Sequence, residues 1–263
     1  MHDASSLPVM CREGPLSGQN SIDFQKITQN VRAARPFVHA LTNPVAQSLS
    51  ANVVLAAGGT PSMTCNLAEI SAFVNSADAL LVNLGMLEDS RVAVINKAVP
   101  LAGAAGLPWL LDPVKVDRSP ERLDYARALL AQDPALVRCN ASEFEALKGE
   151  LESYYRGGRG ILVVSGAEDH VYFEDRVLRV GGGSELMDRV TAMGCALTAY
   201  LAVYLGGCGA DVSLVDAAVT GVARYSLAGS HAAAHSQGPG SFAPAFLDAL
   251  YAETDFSKIS ISG

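Results

Sequence analysis

From Pro36 onward, short uninterrupted apolar runs alternate with longer stretches of helical period, which predicts a mostly parallel sheet covered by helices on both faces. The expected strands are the run from Pro36 into Thr42-Asn43-Pro44, then 79–84, 108–113, 135–138 and 160–166, with 60–63 as a short strand or turn. Helices are expected over 21–34, 46–57 (closed by Gly58-Gly59), 66–76, 89–105 with a kink at Pro100, 120–132 and 142–156. Alternation over 171–180 around Glu174-Asp175 predicts an antiparallel hairpin at the sheet edge. Three more helices, 196–205, 214–235 and 244–252, close the chain. The pattern predicts one α/β domain over 21–263, preceded by a loose tail at 1–20.

The chain is organised around residues 188–205, where a charged pair leads into a loop, Thr191-Ala192-Met193-Gly194-Cys195, and then an almost wholly apolar helix. A helix apolar on every side is expected to be buried all round. Its first turn aims unpaired N–H groups and the positive dipole end at whatever lies over the loop, an arrangement suited to an anion such as phosphate.

Composition narrows the partners. With 263 residues, 49% of them apolar, the chain can bury one large core. Acidic residues outnumber basic ones 27 to 19, a net charge of −8, the wrong sign for nucleic acid or an anionic membrane surface. A small anion held by one Arg and a magnesium ion remains compatible. No apolar run reaches the ~18 residues of a membrane span, and 1–20 lacks the pattern of a signal peptide. Cys11, Cys65, Cys139, Cys195 and Cys208 are odd in number and without paired spacing, which predicts a reducing, cytoplasmic setting.

In open α/β sheets the ligand lies beyond the carboxyl ends of the strands. The residues there are Asn43, Met63, Asn83, Asp112, 138–143, Ser165 and the loop 191–195. Asp112 ends its strand before Pro113. Glu143 follows Asn140 by three residues in R-C-N-A-S-E, which fits a capping box at a helix start. The same two carboxylates could instead share a magnesium ion through waters, with Arg138 as the fixed positive charge beside a triphosphate.

Several blocks together resemble the hydroxyethylthiazole kinase family, ribokinase-like small-molecule kinases of thiamine salvage. These are H-A-L-T-N-P-V-A-Q-S-L-S-A-N-V-V-L-A-A-G-G-T-P-S-M, W-L-L-D-P-V, V-R-C-N-A-S-E, V-T-A-M-G-C-A-L-T-A and G-P-G-S-F, spread from about Val38 to Leu250. The resemblance implies a ribokinase-like three-layer α/β/α sandwich and transfer of the ATP γ-phosphoryl group to the hydroxyl of 5-(2-hydroxyethyl)-4-methylthiazole. It implies ATP as co-substrate, magnesium as cofactor, and a homotrimer with the pocket between subunits. Carried over by position, Asn43 and Met63 line the thiazole pocket, with Ala192 also on the substrate side. Arg138 and Ser165 contact ATP, and Asp112 and Glu143 are associated with the metal. Met193 and Gly194 supply anion-hole N–H groups, and Cys195 stands where related sugar kinases place an Asp base. A free thiol, with a pKa of about 8.5, would orient the hydroxyl as much as deprotonate it. The chain departs from the family at Ala192-Met193, at Cys139, at Ser165 and in a shorter segment between Asn140 and Ser165. These departures leave a second reading, a thiazole-binding homologue with impaired or lost kinase activity.

Overall fold

The computed structural model describes residues 22–263, so the tail expected at 1–20 and the start of the first helix lie outside the described residues. The first six strands are β1 (Phe37–Leu41), β2 (Thr60–Ser62), β3 (Ala79–Asn83), β4 (Trp109–Asp112), β5 (Leu136–Asn140) and β6 (Ile161–Ser165). They pair in parallel in the order β2-β1-β3-β4-β5-β6. The hairpin β7 (Asp169–Phe173) and β8 (Arg176–Val180) adds antiparallel, as the alternation around Glu174-Asp175 predicts. A ninth strand, β9 (Ile261–Ser262), covers β8 and has no counterpart in the sequence pattern, because two residues carry no readable period.

Helices fill both faces. On one lie α1 (Phe24–Ala34), α2 (Gln47–Ala57), α8 (Met193–Gly207), α9 (Leu214–Ala234) and α10 (Pro239–Tyr251); on the other lie α3 (Ile70–Ser76), α4 (Asp89–Ala105), α5 (Pro120–Leu130), α6 (Ala141–Ala146) and α7 (Lys148–Arg156). The two sets form separate apolar cores divided by the sheet, the expected three-layer α/β/α sandwich. Local chemistry sets many of the boundaries. The α2 helix stops because Gly58 takes φ 95°, and α5 starts because the Ser119 side chain caps Arg122 N–H with Pro120 in the first turn.

Four boundary expectations need correction. The helix expected over 142–156 divides at Leu147, whose N–H is shared between the Glu143 and Phe144 carbonyls. That tight turn re-aims α7 so that Leu151, Tyr154 and Tyr155 are buried. The third helix starts at Ile70, not Asn66, because Asn66 Oδ1 accepts from Ala68 N–H and holds a turn first. The last helix begins five residues early, with Pro239 at its first position, where its missing N–H costs nothing. Residues 193–195, expected in a loop, already belong to α8.

The α8 helix is the centre of the molecule: it packs on β1, β3 and β4 below and on α1, α2 and α9 around it, and 12 of its 15 residues are buried. No described helix is long and apolar enough to cross a membrane.

Candidate active site

Sheet register places three polar side chains in one row. Asn83 pairs with Asp112 at the ends of β3 and β4, and Leu111 pairs with Val137, which puts Arg138 beside Asp112 on β5. In-register neighbours present their side chains on the same face, here the face under the start of α8. All three are buried among apolar strands, so each needs a partner. Asn83 Nδ2 donates to Asp112 Oδ2 at 2.7 Å, and Thr198 Oγ1 of α8 donates to the same oxygen at 3.1 Å. Asp112 Oδ1 has no hydrogen-bond partner and faces Arg138 Nη1 at 3.9 Å. Burial, against the pull of Arg138, pushes the Asp112 carboxyl up to about 6.

Arg138 is itself buried and donates to the Ser165 hydroxyl at the end of β6. Burial works against its charge, but Asp112 and Glu143 outweigh it and hold the guanidinium protonated. Its head group lies against Gly194: a Cβ built there would stand 2.5 Å from Nη1. Thus a cation sits at the positive end of a buried helix. Asp112 answers that cation from one side, and an anion lying over both the guanidinium and the helix start would be favoured by each.

The start of α8 explains the open donors. Its first backbone bond runs from Ala196 N–H to the Ala192 carbonyl, 2.8 Å, so the N–H groups of Met193, Gly194 and Cys195 precede the ladder. Ala192 caps the helix at φ 66°, ψ 10°, left-handed geometry that costs a residue with a Cβ about 1–2 kcal/mol. The helix start forms regardless, and Tyr225 Oη pins the Met193 carbonyl at 2.8 Å. Ala192 therefore still opens the helix at Met193 with its first N–H groups free, and nothing here favours the impaired-kinase reading.

On the neighbouring side, Asn43 follows β1. Its Oδ1 accepts the N–H groups of Val45 and Ala46, both at 3.1 Å, and its Nδ2 reaches Asn83 Oδ1 at 3.0 Å and Cys195 Sγ at 3.9 Å. The Cys195 thiol is half-buried. Burial and then the charge of Asp112 push it up to about 12, so it stays protonated near neutral pH and orients a hydroxyl better than it deprotonates one. Met63 lies one residue past β2, half-buried on the same carboxyl edge of the sheet.

Glu143 is brought near this group but is already engaged. Its Oε2 accepts Asn140 N–H and Oε1 accepts Lys115 N–H, both at 2.9 Å, while Asn140 Oδ1 caps Glu143 N–H at 3.0 Å. The capping box read from N-A-S-E is therefore present. Among the described residues no group of three or more His, Cys, Asp or Glu gathers as a metal site. Because both Glu143 oxygens accept from backbone, Glu143→Gln turns one acceptor into a donor facing an N–H. The expected result is a loss of about 1–3 kcal/mol in urea unfolding, a larger structural cost than a surface metal ligand would show.

Three contributors have no role assigned from sequence: Asn83, noted only as a strand end, Thr198 and Arg91. Thr198 carries a faint signal, the one short hydroxyl side chain in a mostly apolar helix, a turn beyond Gly194. Arg91 is buried, and its donors end on the carbonyls of Leu41, Asn83, Gly85 and Met86, a backbone role with no sequence signature.

A three-layer sandwich with phosphate-ready donors, a buried Arg and a buried Asp at the carboxyl ends of its strands defines a small-molecule kinase of the ribokinase-like class. The fold agrees with a solved ribokinase-like superfamily protein from Enterococcus faecalis V583, with a TM-score of 0.63 at 12% identity over 90% of this chain and 98% of that one. The chain belongs to the hydroxyethylthiazole kinase family, whose model matches residues 28–158 and 152–255. It is 43% identical over 240 residues to the hydroxyethylthiazole kinase of Pectobacterium carotovorum, covering 84% of this chain and 89% of that protein. The solved hydroxyethylthiazole kinase protein from Pyrococcus horikoshii OT3 superimposes with a TM-score of 0.82 at 26% identity, covering 90% of this chain and 98% of that one.

Proposed function

We propose that this protein transfers the γ-phosphoryl group of ATP to the hydroxyl of 5-(2-hydroxyethyl)-4-methylthiazole, as a cytoplasmic enzyme of thiamine salvage. The observation that carries the proposal is the Arg138 guanidinium packed on the first turn of α8, opposite the carboxylate of Asp112. Two positive elements converge on one point, and a transferring phosphoryl group supplies the charge both need. Arg138 and Ser165 hold the nucleotide phosphates, and the N–H groups of Met193, Gly194 and Cys195 receive the charge that develops on the equatorial oxygens. Asn43, Met63 and the Ala192 turn face the thiazole alcohol. The protonated Cys195 thiol orients the attacking hydroxyl, and Asp112 is the buried carboxylate whose charge acts most strongly on that thiol.

The residues fit a magnesium ion. Asp112 Oδ1 is a buried carboxylate oxygen without a hydrogen-bond partner, and Glu143 retains a second lone pair on each oxygen for water. Magnesium is commonly held by one or two carboxylates plus phosphates, so Asp112 and, through water, Glu143 would suffice. Bound there, it would neutralise charge on the nucleotide phosphates.

The pocket is proposed to be completed by a neighbouring subunit in a homotrimer. Val45, Leu67 and Met86, 56%, 46% and 52% exposed, follow β1, β2 and β3 on the same edge as Asn43 and Met63. Apolar side chains grouped beside a site are suited to burial by a second chain. The decisive assay is conversion of ATP to ADP with and without the thiazole alcohol, alongside sedimentation. Alcohol-dependent turnover by a trimer is expected; alcohol-independent turnover, or a stable monomer at micromolar concentration, would count against the respective part.

A further inference from the structure

We propose that Asn83 is a positioning residue that fixes Asn43, on the acceptor side, against the carboxylate of Asp112, on the phosphoryl side, so that one buried amide couples the two halves of the site. Asn83 is fully buried, so it acts on substrates only through its neighbours. Its Oδ1 accepts from Asn43 Nδ2 at 3.0 Å and from Gly85 N–H at 2.9 Å, while its Nδ2 donates to Asp112 Oδ2 at 2.7 Å. A neutral amide presents an acceptor on one side and a donor on the other, on separate atoms of one short branched side chain. An Asp here would set two carboxylates in hydrogen-bond contact, and an apolar residue would leave Asn43 and Asp112 each short of a buried partner.

Two features around Asn83 hold it in this role. Gly85 leaves the room: a Cβ there would stand 2.6 Å from Asn43 Nδ2 and 3.0 Å from Asn83 Oδ1. Arg91 clamps the main chain from beneath, donating from Nη2 to the Asn83 carbonyl at 2.7 Å and to the Leu41 carbonyl at 3.1 Å. The ends of β1 and β3 are thus tied at the backbone by Arg91 and at the side chains by Asn83. Cys195 lies at the end of the same chain of contacts, 3.9 Å from Asn43 Nδ2.

The kinetic arm rests on the proposed kinase reading; a spectroscopic arm does not. Asn83→Leu keeps the branching and the number of side-chain heavy atoms and deletes all three bonds. It is expected to raise KM for the thiazole alcohol on the order of tenfold and to lower kcat about 10²-fold, the scale of a misplaced reacting group, with KM for ATP unchanged. Loss of kcat with both KM values unchanged marks a merely structural residue and overturns the proposal. Gly85→Ala keeps the Asn83 amide but crowds Asn43 Nδ2 most, at 2.6 Å against 3.0 Å for Asn83 Oδ1, so it is expected to raise KM for the alcohol; it carries the test if Asn83→Leu does not fold. Independently, the side-chain amide protons of Asn43 are expected to exchange slowly in nitrogen-15 spectra of the wild type and to lose that protection in Asn83→Leu. Retained protection overturns the proposal. Lost protection in a protein that does not turn over the alcohol supports the positioning role while ending the kinase reading.

Discussion

Replacing Asp112 by Asn is expected to lower kcat at least about 10²–10³-fold while leaving the fold intact, and in metal-free buffer to raise stability. The rate loss follows from position. Asp112 is the fully buried carboxylate of the Asn83–Asp112–Arg138 row, and its Oδ1 is the oxygen left without a hydrogen-bond partner. An amide there removes the negative charge opposite Arg138 and places a donor where an acceptor is needed. The fold survives because the substituted amide can turn its carbonyl toward Asn83 Nδ2 and Thr198 Oγ1, the two donors that share Asp112 Oδ2 in the wild type.

The stability gain follows from the raised carboxyl. Burial, the largest cause, brings Asp112 from 3.8 to about 6, so the folded protein binds this proton more tightly than the unfolded chain. The ionised form is then held at a cost on the order of 2–3 kcal/mol. That cost is absent below about pH 4, grows as pH rises, and is complete above about pH 6. The amide of Asp112→Asn does not ionise, so the stability difference between variant and wild type should open over that window and stay level above it. Urea unfolding in EDTA at several pH values measures it. A difference independent of pH would show that Asp112 is already compensated in the fold, and near wild-type turnover would remove it from the phosphoryl-transfer machinery.

Why this row is only half legible in the sequence is a matter of range. Asp112, Arg138 and Ser165 stand out because each is polar at the end of an apolar run, and parallel strands deliver such residues to one edge. That a loop leads into α8 is legible because the helix after it is apolar on all sides and must begin abruptly; the left-handed turn at Ala192 and the helix start at Met193 are not. Register is not legible: nothing local says that Leu111 pairs with Val137, and a slip of one residue would turn Arg138 to the opposite core. For the same reason Thr198 escapes notice, since its partner Asp112 lies far away in sequence, and Arg91 escapes because its partners are main-chain carbonyls, which carry no side-chain signal. Glu143 reads both ways, and the capping box occupies the same oxygens that the metal reading assigns to waters.

Gly194→Ala is expected to lower kcat/KM for ATP about 10²-fold while leaving KM for the alcohol unchanged and lowering stability only modestly. Gly194 lies in the first turn of α8 in ordinary helical geometry, so its value is space, not conformational freedom. In a helix Ala is favoured over Gly by about 1 kcal/mol, which offsets part of any crowding. The added methyl would lie 2.5 Å from Nη1, 2.7 Å from Nη2 and 2.8 Å from Cζ of Arg138, closer than real contacts allow. The guanidinium cannot simply swing away, because it is buried, bound to the Ser165 hydroxyl and drawn by Asp112 at 3.9 Å. Either it loses Ser165 or the first turn of α8 shifts, and both outcomes re-aim donors that converge on the phosphates. Asn43 stands on the alcohol side, held by Asn83, and is not among the groups the added methyl meets. Gly149→Ala, in open space on α7, is the matched control and should behave as wild type. Combining Gly194→Ala with Arg138→Lys, whose thinner head group relieves the overlap, should cost less than the two single losses together. Strict additivity, or a Gly194→Ala enzyme with unaltered ATP kinetics, would show that the guanidinium does not bear on the helix start during turnover.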